Sequence, residues 1–134
     1  MEIDGKCHCG AISWSADLDP ESVYICHCSD CQTLSGSSFR TVAIVPADTF
    51  RMSGEPRIYI KSAESGNRRI QAFCPDCGTP LYSTNADGQP ESYALRVGTC
   101  SQRDLLVPRL QTWRRSSLHW LGGLSAIPVR EKGL

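Results

Sequence analysis

Seven of the eight cysteines lie in three short clusters, and this clustering constrains the fold of the chain more than any other feature. The clusters are Cys7-His8-Cys9, Cys26-His27-Cys28-Ser29-Asp30-Cys31 and Cys74-Pro75-Asp76-Cys77-Gly78. A tetrahedral zinc site needs four ligands about 2.0–2.3 Å from the ion, and one turn of the chain places two thiolates at once. The clusters therefore predict zinc sites that tie distant segments together.

Disulfide bonds are the alternative use of an even number of cysteines. Residues 1–6 contain no apolar signal-peptide core, and no segment approaches the roughly 18 apolar residues of a membrane span. This predicts a cytoplasmic chain without membrane attachment. Because cytoplasmic thiols are kept reduced, the zinc hypothesis is favoured over disulfides.

The length of 134 residues predicts a single zinc-binding domain that spans residues 1–134. The chain has 14 basic and 14 acidic residues, so its formal net charge is zero. A neutral chain without a basic tail has no field that attracts nucleic acid or an anionic membrane. The expected partner is therefore a small molecule, with neither nucleic acid nor membrane involved.

Short alternations of apolar and polar residues, separated by Gly, Pro, Asn and Asp, are typical of strands joined by turns. They predict strands at residues 11–15, 41–45, 57–61, 69–73, 80–83 and 93–97. No long segment keeps helical periodicity, and only residues 29–35 predict a turn or two of helix. The pattern predicts a mainly β protein of mostly antiparallel sheets, in which zinc holds the loops of a small core.

The third cluster has the C-x-x-C-G form of a zinc knuckle. Pro75 stiffens the turn, and Gly78 can adopt the positive φ that wraps the backbone around a sulfur atom. A thioredoxin-type redox pair is the alternative for Cys74 and Cys77, but that motif needs a strand followed by a helix. The residues after Gly78 predict another strand, which favours the knuckle.

Cys7 and Cys9 are two residues apart, so in an extended segment their side chains face the same way and supply half of a metal site. Together with Cys74 and Cys77 they complete a set of four thiolates. Such a set predicts a closed, structural zinc ion.

Cys26, Cys28 and Cys31 are then available as three ligands for a second ion. Three protein ligands leave one open position on a tetrahedral ion, the feature that separates catalytic zinc from structural zinc. The alternative is that His27, Cys100 or another side chain fills this position. The sequence therefore leaves two hypotheses open, a site where a ligand exchanges and a second closed site.

Five residues after the middle cluster are predicted to bind substrate: Ser35, Gly36, Ser37, Phe39 and Arg40. Small residues let backbone N–H groups approach a ligand, while Phe39 can pack against it and Arg40 can pair with a carboxylate. The alternative is an ordinary loop that leads into a strand, with Phe39 in the core.

The three clusters and their flanking residues, at positions 7–10, 26–39 and 73–82, resemble the glutathione-dependent formaldehyde-activating enzyme family, which also includes centromere protein V. The likeness covers roughly residues 5–122, with matched spacing at all three clusters. It implies a β-tent (Mss4-like) fold with two zinc ions. Position by position, it implies a structural ion on the four-cysteine set. It also implies a second ion, which is the candidate catalytic centre, on Cys26, Cys28 and Cys31.

The resemblance also implies an activity, a carbon–sulfur lyase-type reaction that joins glutathione and formaldehyde as S-hydroxymethylglutathione. Glutathione, or a related thiol, is then the expected partner, with formaldehyde or another small aldehyde as co-substrate. Fold alone does not transfer activity, so the alternative is a zinc-stabilised binding module or thiol carrier. The charge balance disfavours a chromatin role like that of centromere protein V.

Three residues depart from the pattern of that family: Cys100, Gln111 and His119. The family often has a histidine where Gln111 stands and a proline where His119 stands, so the substrate of this chain is expected to differ if that histidine binds ligand. Cys100 follows a Gly-Thr pair where an apolar residue is usual. A zinc ligand, a reactive thiol and a small buried residue are the three hypotheses for it.

Overall fold

The computed structural model describes residues 1–134, and strands dominate it. The strands are β1 (Glu2–Lys6), β2 (Ser13–Asp17), β3 (Val23–Cys26), β4 (Arg40–Pro46), β5 (Arg51–Ser53), β6 (Arg57–Ser62), β7 (Arg68–Phe73), β8 (Pro80–Asn85), β9 (Ser92–Arg96) and β10 (Leu110–Thr112). The one α-helix is α1 (Ser29–Ser35). Short 3₁₀ segments lie at Pro20–Ser22, Val97–Thr99, Arg103–Leu105, Arg114–Ser116 and Leu121–Ala126. The predicted mainly β fold is confirmed.

The strands form two sheets. One has the order β1-β2-β5, and the other has the order β10-β3-β4-β9-β8-β7-β6. Every pair is antiparallel except β10 with β3, which is parallel. The larger sheet brings strands from distant parts of the chain side by side, and this order positions the site described below.

The core lies where the inward faces of the two sheets meet. Ile3 and Trp14 of the smaller sheet belong to the same buried cluster as Val45, Leu81 and Leu95 of the larger one. The alternation along β1 and β2 accounts for this, because every second side chain of a strand points to one face. No helix of the chain is both long enough and apolar enough to cross a membrane.

The six predicted strands are all present, although β2 begins at Ser13 rather than at residue 11, and α1 covers residues 29–35 as predicted. The sequence pattern did not indicate β1, β3, β5 or β10. In β1 the only large apolar side chain is Ile3, and Gly5 occupies the other buried position, so the alternation is weak. β5 and β10 have three residues each, too few to show a period.

Candidate metal centres and the adjoining cavity

Two tight turns bring four cysteines together at the ends of β1 and β7. In the first turn, the N–H of Gly10 donates to the carbonyl oxygen of Cys7 at 3.1 Å, and in the second the N–H of Gly78 donates to that of Cys74 at 2.8 Å. Gly10 and Gly78 have φ values of 82° and 78°, which L side chains rarely adopt. Both turns thus end at a glycine with positive φ, and the positive φ predicted for Gly78 is confirmed.

The four sulfur atoms of Cys7, Cys9, Cys74 and Cys77 all lie within 4.8 Å of one another. The Sγ atoms of Cys7 and Cys9 are 3.6 Å apart, and those of Cys9 and Cys74 are 3.8 Å apart. A tetrahedron with Zn–S bonds of about 2.3 Å has edges of about 3.8 Å. The donor set and its spacing therefore fit a zinc ion.

The expectation that Cys7 and Cys9 lie in an extended segment is wrong. β1 ends at Lys6, and both cysteines belong to the turn that closes at Gly10. The turn, rather than the pleat of a strand, aims the two sulfur atoms at one point. A C-x-C-G run is therefore better interpreted as a turn than as an extended pair, because a glycine with positive φ follows it.

Hydrogen bonds at Cys7 and Cys77 favour the thiolate forms of these two residues. The N–H of Ile12 donates to Cys7 Sγ at 3.3 Å. Thr79 links the two turns, since its hydroxyl lies 3.2 Å from Cys77 Sγ and accepts from the N–H of His8 at 3.1 Å. The hydroxyl of Thr79 lowers the pKa of Cys77 to about 5. Metal binding needs deprotonated thiols, so these contacts prepare the group for an ion.

The second group joins the end of β3 to the start of α1. Cys26 ends β3, Cys28 is the N-cap of α1, and Cys31 lies in its first turn. The N–H of Cys31 donates to Cys28 Sγ at 3.3 Å, and the three sulfur atoms lie within 4.8 Å of one another. The neighbouring Cys31 lowers the pKa of Cys26 to about 4, while Cys26 raises the pKa of Cys31.

No fourth His, Cys, Asp or Glu joins this group. His27 lies between two of the cysteines, but its Nε2 donates to Gln111 Oε1 at 2.8 Å and its ring packs on Phe39, with centroids 5.7 Å apart. Cys100 is buried in the core, and its thiol donates to Gln102 Oε1 at 3.3 Å. Of the three hypotheses for Cys100, the small buried residue fits its position. The three-cysteine group can therefore hold a metal with one ligand position free of protein.

A cavity of about 280 Å³ opens beside Cys26 and Cys31. Its lining includes cationic side chains from four strands of the larger sheet, namely Arg40, Lys61, Arg69 and Arg96. An apolar cavity of about 550 Å³ adjoins it, because Leu34, Arg40, Gln71 and Arg96 line both. The second cavity is otherwise bounded by Tyr59, Ala72, Phe73, Gly78 and Pro80.

Of the five residues predicted to bind substrate, Arg40 is the one that lines these cavities. Ser35, Gly36 and Ser37 form the C-terminal end of α1, where Gly36 has a φ of 63° and the N–H of Ser37 donates to the carbonyl oxygen of Gln32 at 3.2 Å. Phe39 packs against the buried ring of His27. The structure therefore gives these four residues capping and packing contacts, and places Arg40 next to the sulfur atoms.

Sequence reasoning missed Lys61, Arg69 and Arg96. A signal was present for Arg96, since it follows the apolar residues Ala94 and Leu95 at the buried end of β9. A charged residue at a position where the pattern predicts burial is a candidate for a functional role. Lys61 and Arg69 carry no such signal, because they face one another across the pairing of β6 and β7 only in the folded chain.

Similarity to known proteins shows the family of this chain. The sequence profile of the family described as "Glutathione-dependent formaldehyde-activating enzyme" matches residues 2–116. The chain belongs to this family. The match contains all seven clustered cysteines and the cationic residues of the cavity, so the resemblance inferred from the three motifs is confirmed.

Two individual proteins are similar to this chain, one in sequence and one in fold. An uncharacterized lyase of Schizosaccharomyces pombe is 28% identical over 88 residues, which cover 66% of this chain and 61% of that protein. The chain thus spans about three fifths of the length of that relative. A crystal structure of a Rhodobacter sphaeroides protein superposes with a TM-score of 0.60 at 23% identity, covering 81% of this chain and 99% of that one, which shows a shared fold.

Proposed function

We propose that this chain, as one zinc-binding domain of residues 1–134, binds two zinc ions and uses the second to act on a thiol. The four-cysteine group holds a structural ion, and Cys26, Cys28 and Cys31 hold an ion at which glutathione or a related thiol adds to formaldehyde or a small aldehyde. The observation that carries the proposal is the three-cysteine group without a fourth protein ligand, beside a cavity that Cys26 and Cys31 line.

The donor set suits this chemistry. Zinc bound at the three cysteines would deprotonate an incoming thiol, whose ordinary pKa of about 8.5 keeps it mostly protonated at neutral pH. The residues around the cavity hold the ligand in one orientation and keep its sulfur next to the position that an aldehyde would occupy. Addition forms the S–C bond and breaks the C=O π bond, whose electron pair moves to oxygen, so the site must also provide a proton or hydrogen bond to that oxygen.

Tyr24 is the candidate donor. It lines the same cavity as Cys26 and Cys31. Burial, and then the nearby negative charge of Cys26, raise the pKa of Tyr24, so its hydroxyl stays protonated at neutral pH. A neutral phenol can donate to a developing alkoxide without carrying a charge into the cavity.

Coordination through sulfur is tested by calorimetry of the zinc-loaded protein with glutathione and with S-methylglutathione. Glutathione is expected to bind, and blocking its sulfur is expected to weaken binding at least about 10-fold, because a thioether is neutral and a poor zinc ligand. The two ligands share every peptide contact, so the comparison isolates the sulfur. Equal affinity would contradict the proposal and support the zinc-stabilised binding module.

Replacing Tyr24 by phenylalanine tests the addition step. The Tyr24→Phe protein is expected to bind glutathione with unchanged affinity and to form the formaldehyde adduct about 10-fold more slowly, since only the hydroxyl is removed. The rate above the spontaneous reaction can be followed by NMR exchange between glutathione and its adduct. Tyr93→Phe is the matched control, because Tyr93 packs on Phe50 and Tyr82 and lines neither cavity. Equal rates for both variants would remove Tyr24 from the mechanism.

A further inference from the structure

Two arginines that line the cavity beside the three-cysteine group are buried without a carboxylate partner, which costs free energy. Arg40 and Arg96 are only 7% and 8% exposed. Buried charges are normally paired with an opposite charge. Neither arginine takes part in an ion pair, since the three ion pairs of the chain are Lys61–Asp30, Arg68–Asp87 and Arg109–Glu21.

The two guanidinium groups share a single neutral acceptor. Arg40 Nη1 and Arg96 Nη2 donate to Gln71 Oε1 at 3.3 Å and 2.8 Å. Arg40 Nε is buried without any partner. A guanidinium offers five N–H donors, so most of the donors of the pair are left for a ligand. Burial, and then repulsion by Arg40, lower the pKa of Arg96 to about 9, although Cys31 and Tyr24 act in the opposite direction.

A metal in the neighbouring group does not account for these charges. Four cationic side chains and one carboxylate, Asp30, line the cavity, and Lys61 already pairs with Asp30 at 2.6 Å. Three thiolates on a divalent ion carry one net negative charge, which offsets one arginine. The cavity is therefore left with an excess of about two positive charges, which suits a ligand with two negative charges.

We infer that the basic cavity is a carboxylate-binding site, and that Arg40 and Arg96 select thiols whose carboxylate reaches them while the sulfur is on the metal. A thiolate on the metal and a carboxylate on the arginines supply the two negative charges. Cys26, Cys31 and the two arginines line the same cavity, so the sulfur and the carboxylate of one ligand can occupy it together. Any larger part of the ligand extends into the apolar cavity that shares Arg40, Gln71 and Arg96.

The position of the sulfur rests on the proposed function, whereas the carboxylate contact rests on the arginines alone. Three small probes separate the two: 3-mercaptopropionate, the neutral 3-mercaptopropanamide and propionate. The zinc-loaded protein is expected to bind 3-mercaptopropionate at least about 10-fold more tightly than the amide, because charge-assisted bonds to two buried arginines are lost with the charge. Calorimetry at constant ionic strength measures this preference.

Arg96→Met is the informative variant. It is expected to bind both thiols alike while keeping its zinc content, and to melt at the same temperature as the wild type or higher, because an unpaired buried charge has been removed. Arg109→Met is the control with the same change of net charge, since Arg109 is an exposed partner of Glu21 outside the cavity. It is expected to keep the full preference. If Arg96→Met does not fold, Arg69→Gln is used and is expected to reduce the preference.

The outcomes distinguish the two proposals. Equal binding of both thiols by the wild type, or an unchanged preference in Arg96→Met with a lowered melting temperature, overturns the carboxylate site and gives Arg96 a structural role. The proposed thiol function survives either result. Propionate that binds as tightly as 3-mercaptopropionate, and loses affinity in Arg96→Met, supports the carboxylate site and contradicts sulfur coordination. No binding of any probe overturns both.

Discussion

Replacing Cys77 by serine is expected to unfold the protein or make it insoluble, with loss of the structural zinc ion. Cys77 is exposed, so its thiol adds little to core packing, and a large effect must come from the metal. Structural zinc is worth about 10–16 kcal/mol of apparent binding free energy in small peptides, against a total domain stability of about 5–15 kcal/mol. Thermal melting and zinc content measure the outcome.

The reason for so large an effect is the place of the four-cysteine group in the fold. Its other members include Cys7 and Cys74, which belong to the buried core cluster. An ion at this group would therefore join β1 of the smaller sheet to β7 of the larger sheet, next to residues of the buried core. Without it, the two turns and the two buried thiols of Cys7 and Cys74 would hold this junction alone.

Two control variants separate metal loss from other causes. Asp76→Ser changes an exposed residue of the same turn and is expected to leave zinc content and melting temperature almost unchanged. Cys100→Ala removes a buried thiol outside both groups and is expected to cost only about 1 kcal/mol, with both ions retained. A Cys77→Ser protein with unchanged melting temperature and full zinc content would rule out a structural ion at this group.

The cysteine ligands were predictable because their chemistry is local. Each of the three clusters fits within six residues, so the spacing alone shows that one turn can aim two or three sulfur atoms together. The grouping of residues 7, 9, 74 and 77 apart from 26, 28 and 31 then followed from ligand counting, and the structure brings these same sets together. The detailed turn at Cys7 was not predicted, because a C-x-C pair suits a strand as well as a turn until the positive φ of Gly10 is known.

The cationic cavity was not predictable in the same way. Its arginines come from β4, β9 and β7. These strands are far apart in the chain, and the order β4-β9-β8-β7 of the larger sheet brings their arginines to one cavity. No local period encodes that strand order. Arg40 was predicted only because it follows the middle cluster in sequence. Ser35, Gly36, Ser37 and Phe39 follow it too, but the end of α1 and the packing of Phe39 on His27 take them away from the cavity lining.

Replacing Cys28 by serine is expected to remove one zinc ion and thiol binding but to leave the protein folded, in contrast to Cys77→Ser. Cys28 is the N-cap of α1, and its sulfur accepts from the N–H of Cys31. Serine is a preferred N-cap residue, so Cys28→Ser keeps the cap while its hydroxyl is a poor zinc ligand. Cys28→Ala removes the cap as well, at a further cost of about 1 kcal/mol.

The two substitutions at residue 28 therefore test separate consequences of one side chain. Both are expected to hold one zinc ion per chain and to bind glutathione at least about 100-fold more weakly, because two thiolates no longer hold the second ion firmly. The difference between their two melting temperatures is expected to come only from the N-cap of α1. The serine variant keeps this cap and therefore melts closer to the wild type. Zinc content, calorimetry with glutathione and thermal melting give the three readouts. A Cys28→Ser protein that loses both ions, or unfolds as fully as Cys77→Ser, would show that β3 and α1 need the second ion in order to fold. The group of Cys26, Cys28 and Cys31 would then be a structural site as well.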